Sequence, residues 1–540
     1  MQLNRRRFFY GALAAPLAKA GTRYPVPVFA DSKSRVGLVQ STHGRLPQPA
    51  SPEDPLDYAK VREMVWQAIE YAPPSAGSLE AKIPAGAWVV IKPNLVFLRP
   101  QGGYAPGDIT DMRVLKAVVE YVARRSRARR ISVAEGGTYR GPHDPLKDNV
   151  VTQNGVRVGA LAFDWGPDEF PGFNGSLGGM LEELAAAFPQ KKFDYVDLSY
   201  DTVRDPAGQF RRIEVPRAPN GVGAFSLRPD YYVTRAITEC DFLIDVPVAK
   251  VHGQCAITAC FKNYVGTAPR EAYSVPERFW NVRLHDEHAT DNRIDHLIVD
   301  LAAFHPPDYN VVDGIRGLQS STHNNRRPDQ TVRSNMVLAG EDTVAVDALV
   351  AHLMGFEVSD MEFLHLARQR GLGTMDFHEI DVRGDDPERL KRRWAKPRPW
   401  WGRCNREWRV TRDAAADLGA WKRYTSAFDT LDLAQAAGEA PPEATYGAAV
   451  RVRAEGHRKA FLWMGLGGRV TALLNGEKFL EEENRTRYRV GQIQKPVELR
   501  SGENLLVFRV QGLSEPPRLS AVLVNSRNDG DSVEGIRWEA

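Results

Sequence analysis

The sequence predicts an α/β domain, a mostly parallel sheet with helices on both faces, followed by an all-β sandwich. Three observations predict it. Over about residues 56–395, short runs rich in Val, Ile and Leu alternate with helix-periodic stretches. Beyond about residue 446 the pattern becomes apolar/polar alternation between Gly- and Asn-containing turns. The chain has 540 residues, more than one ordinary core needs, and its 43% hydrophobic and 26% charged residues are a soluble globular composition.

The elements follow in order. NRRRFFYGALAAPLAKA resembles a twin-arginine export signal: Arg5 and Arg6 match the arginine pair, Phe8 and Phe9 the apolar positions behind it, and Ala18-Lys19-Ala20 the cleavage site. The resemblance implies the twin-arginine export machinery as a partner and a periplasmic or other extracytoplasmic location. That route carries folded cargo, which allows a cofactor without naming one. Residues 21–55 read as a connector rich in Pro, Ser and Gly, with one strand at Arg35 to Val39.

AWVVIKPNLV, RRISVAEGG, FDYVDLSY, CDFLIDVPVAK, YNVVDGIRG and NMVLAGED then read as strands, each ending in polar residues or glycine. Asp111 to Val122 reads as a helix behind a Thr110 cap, with Val114, Leu115, Val118, Val119 and Val122 on one face. Ligands of such sheets bind outside the carboxyl ends of the strands. The expected edge gathers Lys92, Asn94, Glu135, Asp197, Lys250, His252, Asp313 and Asp342.

Residues 396–445 read as a Trp-rich, then Ala- and Pro-rich, linker leading into the sandwich. Trp394, Trp400, Trp401 and Trp408 are expected to pack between domains. Residues 446–540 form the sandwich, which resembles a galactose-binding-like jelly roll through TALLNGEKF, with a hairpin turn at Asn475-Gly476, and VELRSGENLLVFRV. The resemblance implies a fold, with carbohydrate as one partner and structural packing as the other reading.

Composition excludes several classes. A formal charge of +3 over this length gives no reason for nucleic-acid binding, and RRSRARR (Arg124 to Arg130) reads as a solvated helix end. No apolar run reaches the ~20 residues of a membrane span, so no integral membrane segment is expected. Four cysteines without a C-x-x-C pair argue against a ferredoxin-type cluster and leave one disulfide open. G-x-G-x-x-G after a strand, G-x-x-x-x-G-K-[ST] and G-x-S-x-G are missing, which sets aside dinucleotide, P-loop and common serine-hydrolase sites.

The stretch CDFLIDVPVAKVHGQCAITACFKNYVG (Cys240 to Gly266) ends a buried-strand pattern in Lys250 and His252 and continues to Lys262 and Asn263. IKPNLV, DVPVAKVH and ITACFKNYVG, followed by VVDGIRG and LAGEDTVAVDALVAHLMG, together resemble the DUF362 family over roughly residues 85–385. The resemblance implies an α/β domain and supplies no established reaction. Lysines at 92, 250 and 262, if close, repel one another unless an anion lies between them. Either they clamp a phosphate or carboxylate, helped by Asn94, Asn263 and backbone near Gly102 and Gly103, or one of them serves as a base or Schiff-base nucleophile with His252 shuttling a proton. The two are compatible.

Lys250, His252 and Lys262 are therefore the catalytic candidates, and Lys92, Asn94, Asn263, Glu135 and Asp313 the ligand-binding ones. HDEHATDNRIDH offers His285 and His288 with Asp286 or Asp295, and Glu135 or Asp313 from strand ends, as metal ligands; H-x-x-H alone is common, and no metal is expected. Asp342 and Asp347 read as helix-capping residues. The expected function is an exported protein that binds and transforms a small anionic ligand, by isomerase, lyase or hydrolase chemistry if it is an enzyme. The rivals are a cofactor-bearing redox accessory and a non-enzymatic cell-envelope or carbohydrate-binding protein.

Overall fold

The computed structural model describes residues 33–96, 107–136, 152–153, 156–157, 165, 169–173, 175–275, 281–289, 293–320, 330–397, 404–426, 428–441, 443–484, 488–513, 517–525 and 533–540. The arginine pair, the A-x-A site, Gly102, Gly103, Trp400 and Trp401 lie outside the described residues. The chain divides into two compact units, Met1–Val358 with Phe363–Pro397, and Ser359–Glu362 with Arg398–Ala540.

The first unit is built on eight strands: β1 (Ser34–Gln40), β2 (Trp88–Pro93), β3 (Arg130–Ala134), β4 (Lys192–Val196), β5 (Phe242–Val246), β6 (Tyr309–Leu318), β7 (Thr331–Gly340) and β8 (Ile380–Gly384). Their order is β8-β1-β7-β6-β5-β2-β3-β4. Seven run one way, and β7 alone is antiparallel to both neighbours. The reason is local. Parallel neighbours need a crossover of a dozen or more residues, usually a helix, and QSSTHNNRRPDQ between β6 and β7 has no apolar periodicity to make one.

Helices cover both faces, as expected. Val337 and Ala339 of β7 share a core with Val61 and Ala68 of α1 (Tyr58–Tyr71) and Val118 of α2 (Met112–Arg125). The next residue, Gly340, faces the other way, where a Cβ would lie 2.9 Å from Val346 of the helix Thr343–Leu353. The α2 cap differs from expectation by one residue: Asp111 accepts from the Arg113 N–H at 2.9 Å, while Thr110 is used elsewhere. The strand expected within the connector lies inside β1, between β7 and β8.

The second unit is a pair of antiparallel sheets, one of seven strands and one of four. Val450, Val452, Leu462, Met464, Phe508 and Leu523 fill the space between them. Asn475 and Gly476 have φ of 54° and 88°, the left-handed pair that a tight hairpin between Gly468–Leu474 and Glu477–Asn484 requires. The stretch read as linker and sandwich start supplies strands Glu407–Thr411, Lys422–Thr425 and Leu431–Asp432. Trp408 is no interdomain residue: it points inward from the first of these, fully buried, with its ring 6.0 Å from Phe508. Trp394 packs inside the first unit against Gly317.

Among the described residues no helix is long and apolar enough to cross a membrane. All four cysteines are buried, and none of them forms a disulfide.

Candidate functional site

The site grows from the carboxyl ends of β2, β3 and β5. Apolar residues hold these ends in the sheet, and the register puts Lys92 beside Asp245. Lys92 Nζ donates to Glu135 Oε2 at 2.6 Å, to Asn263 Oδ1 at 3.1 Å and to the Pro93 carbonyl at 3.0 Å, so its three protons are used. Asn263 reaches back with Nδ2 to the Lys92 carbonyl at 3.1 Å and to Asp245 Oδ1 at 2.7 Å. Its Oδ1 also accepts from Asn94 Nδ2 at 3.1 Å. Asn94 Oδ1 has no hydrogen-bond partner among the described residues.

Burial drives the Asp245 carboxyl well above the usual range. A neutral acid there avoids adding charge beside Glu135. The ion pair is wedged against backbone: a Cβ on Gly266 would stand 2.7 Å from Lys92 Nζ and 2.9 Å from Glu135 Oε1. Thr110 ties the strand ends together, accepting from the Asn94 N–H at 2.8 Å and donating to the Val246 carbonyl at 2.7 Å.

Lys250 lies on the hairpin Lys250–His252 and Ala256–Thr258. It is wholly buried and donates to Asp108, to Oδ1 at 3.0 Å and to the main-chain carbonyl. Burial lowers its pKa against the pull of Asp108.

Lys262 and Asn263 share the single helical turn Cys260–Asn263. Asp347, 87 residues away, caps that turn by accepting the N–H groups of Cys260 at 2.8 Å and Phe261 at 3.1 Å. Lys262 itself is half-buried, and among the described residues no acceptor takes a hydrogen bond from its Nζ. Burial first, then the ammonium groups of Lys250 and Lys92, pull its pKa down to about 8, against Cys255 and Glu135. The half-buried imidazole of His285 faces the same charge: burial and Lys262 hold it at about 4, so it is neutral at pH 7.

The structure thus brings together Lys92, Asn94, Glu135, Asn263, Lys250 and Lys262, within one field of mutual charge. His252 shares the short strand of Lys250, its Nδ1 accepting from the Gln254 N–H at 3.2 Å. Asp313 lies beside the segments that carry Thr110 and Lys250, accepting the N–H groups of Asp111 at 2.8 Å and Ile315 at 2.9 Å with its side chain and that of Ala249 with its carbonyl; burial and the Asp111 charge raise its pKa. Asp197 caps a short turn by accepting from Ser199. Asp342 is at the wrong edge: β7 runs backwards, so its end pairs with Asn310 at the start of β6. There Asp342 caps the helix Thr343–Leu353 and accepts from Ser34 Oγ at 2.6 Å.

Among the described residues no group of three His, Cys, Asp or Glu side chains is placed to hold a metal ion. Asp108, Thr110, Asp245 and Asp347 were not singled out from sequence as parts of this site. Asp108 and Thr110 share one tetrapeptide, Asp108-Ile-Thr-Asp111, whose polar density before a helix was the available signal. Asp245 interrupts the otherwise apolar FLIDV run, a second signal.

Residues 203–352 match the family model described as Domain of unknown function (DUF362). That span is narrower than the expected one and leaves IKPNLV outside it. No curated protein matches the chain. Among solved structures, the lactate racemase apoprotein from Thermoanaerobacterium thermosaccharolyticum is similar at TM-score 0.27 and 13% identity, over 52% of this chain and 52% of that one. A beta-glucosidase from Kluyveromyces marxianus is similar at 0.19 and 11%, over 23% of this chain and 17% of that one. The CBM35 from Cellvibrio japonicus Abf62 is similar at 0.13 and 16%, over 18% of this chain and 71% of that one. Likenesses at this level say nothing of ligand or reaction.

Proposed function

We propose that this chain, a member of the DUF362 family through residues 203–352, binds and transforms a small anion at the carboxyl edge of its sheet. Lys262 carries the reading. Three ammonium groups, on Lys92, Lys250 and Lys262, stand with two carboxylates, on Glu135 and Asp108, so the set keeps one positive charge. That charge is on the one lysine of the three that is half-buried and makes no ion pair among the described residues. A monoanionic carboxylate or phosphate would satisfy it, with Asn94 as a further polar contact and His252 at the flank. In this reading Lys92, Glu135 and Asn263 are the hydrogen-bonded support of the site, and Lys250 adds its charge. The N-terminal NRRRFF motif supports delivery of the folded protein across the membrane, which cell fractionation would test.

The experiment is a thermal-shift titration of the full chain with inorganic phosphate and acetate, at constant ionic strength. Binding to the folded state alone raises the midpoint as concentration passes the dissociation constant. Wild type should shift and Lys262→Met should not. Equal shifts in both proteins would remove Lys262 from the site.

A further inference from the structure

We propose that Lys262 is the reacting group of this site and that its ligand is a 2-oxo acid, held through its carbonyl carbon as a Schiff base. The proposal rests on the anion-site reading and adds a substrate class to it. The three lysines differ in what their nitrogens are already doing. Lys92 has its three donors engaged by Glu135, Asn263 and Pro93, and a Cβ's width of backbone at Gly266 closes over the pair. Lys250 is wholly buried and bonded twice to Asp108. Either would have to break an ion pair in a dry environment before its lone pair could reach a carbonyl. Among the described residues Lys262 has no such bond to break, and its turn is pinned by Asp347, so the base of its side chain is held in one place.

The neighbourhood suits both halves of the ligand. A nucleophilic amine must be neutral, and Lys92 and Lys250 disfavour a third ammonium beside them. The iminium that forms restores the positive charge at Lys262 beside the ligand carboxylate, and the Asn94 amide offers a further polar contact. Phosphate alone satisfies the charge but offers no electrophilic carbon to the amine. The step balances without an oxidant or reductant. The neutral amine adds to the carbonyl carbon, and its proton moves to the carbonyl oxygen, giving a carbinolamine. With one proton from solvent the hydroxyl leaves as water, and the nitrogen is left as an iminium.

The test uses the full chain with glyoxylate, pyruvate and 2-oxoglutarate as probes, followed by sodium borohydride, intact mass and peptide mapping. Hydride adds to the iminium carbon and fixes the ligand as a secondary amine. The expected result is one adduct per chain, with the mass of the acid less one oxygen atom, on the peptide that contains Lys262. It should be missing in both Lys262→Met and Lys262→Arg. Trapping should rise with pH through about 8. Absence of any adduct with all three acids, or labelling of Lys262 no greater than that of the exposed Lys459, would overturn the proposal. The phosphate and acetate titration then separates the two levels: shifts without trapping remove the Schiff base and leave the anion site, whereas neither shifts nor trapping remove both.

Discussion

Lys262 carries an ammonium group that the described chain does not neutralise with an ion pair, and this has a stability consequence whose sign is fixed. Its ordinary pKa of 10.5 falls to about 8 in the folded protein. Between those values the unfolded chain holds the proton and the folded chain has released it, so stability rises as pH climbs through that window. Below about 8 both states are protonated and the folded state carries the whole desolvation penalty. Lys262→Met should therefore stabilise the protein at pH 7 by about 1–3 kcal/mol and flatten the rise between pH 8 and 10.5. Urea unfolding of both proteins at pH 7 and pH 10 checks it; a variant less stable than wild type at pH 7 would show that the ammonium is neutralised in the fold. Lys250 behaves oppositely. Lys250→Met removes the buried ammonium paired with the Asp108 carboxylate and should cost about 3–5 kcal/mol, part of which Asp108→Asn in the same chain should restore. A loss under 1 kcal/mol in the urea midpoint would mean that Asp108 has other support.

At the scale of elements, the site depends on a turn too short to hold itself. Four residues, Cys260–Asn263, cannot make a stable helix alone. Asp347 supplies acceptors for two N–H groups at its start, and burial raises this carboxyl to about 6. Asp347→Ala should lower stability by about 1–3 kcal/mol, the cost of stranding buried donors, and should weaken phosphate and acetate binding together, because Lys262 and Asn263 ride on the same turn. Stability loss with unchanged anion response would show that the turn keeps its place without the cap. This dependence marks the limit of what the sequence discloses. Lys92, Lys250 and Asn263 were legible because each ends an apolar run. Asp347 read as a capping residue, but the turn that it caps begins 87 residues earlier, and no periodicity encodes that distance. Asp342 was misplaced for a related reason: strand direction decides which edge a strand end occupies, and the polar link that reverses β7 gives its signal in the connection rather than in the strand. The expected need for an external anion between all three lysines also shrank, since Glu135 and Asp108 already balance two of them.

At the scale of the molecule, two hydrophobic cores stand behind two fold classes read from one chain. The sandwich was legible because period-two alternation and an Asn-Gly turn are local signals; the order of the eight-stranded sheet was not, because register between strands far apart in sequence is a property of packing. Each core has its own large residues, with Trp408 and Phe508 in the sandwich and Val118, Ile244 and Val337 in the α/β unit. Trp408→Ala removes a fully buried indole from the first of these and should cost the sandwich about 3–5 kcal/mol. If each core stabilises its own unit, amide hydrogen exchange should lose protection in strands Thr445–Ala454 and Gly502–Gln511 and keep it in Phe242–Val246 and Tyr309–Leu318. The phosphate and acetate response should survive, since among the described residues none of the charges acting on Lys262 belongs to the sandwich. Equal loss of protection in all four strands would instead make the chain one cooperative unit, and a lost anion response would make the sandwich part of the site.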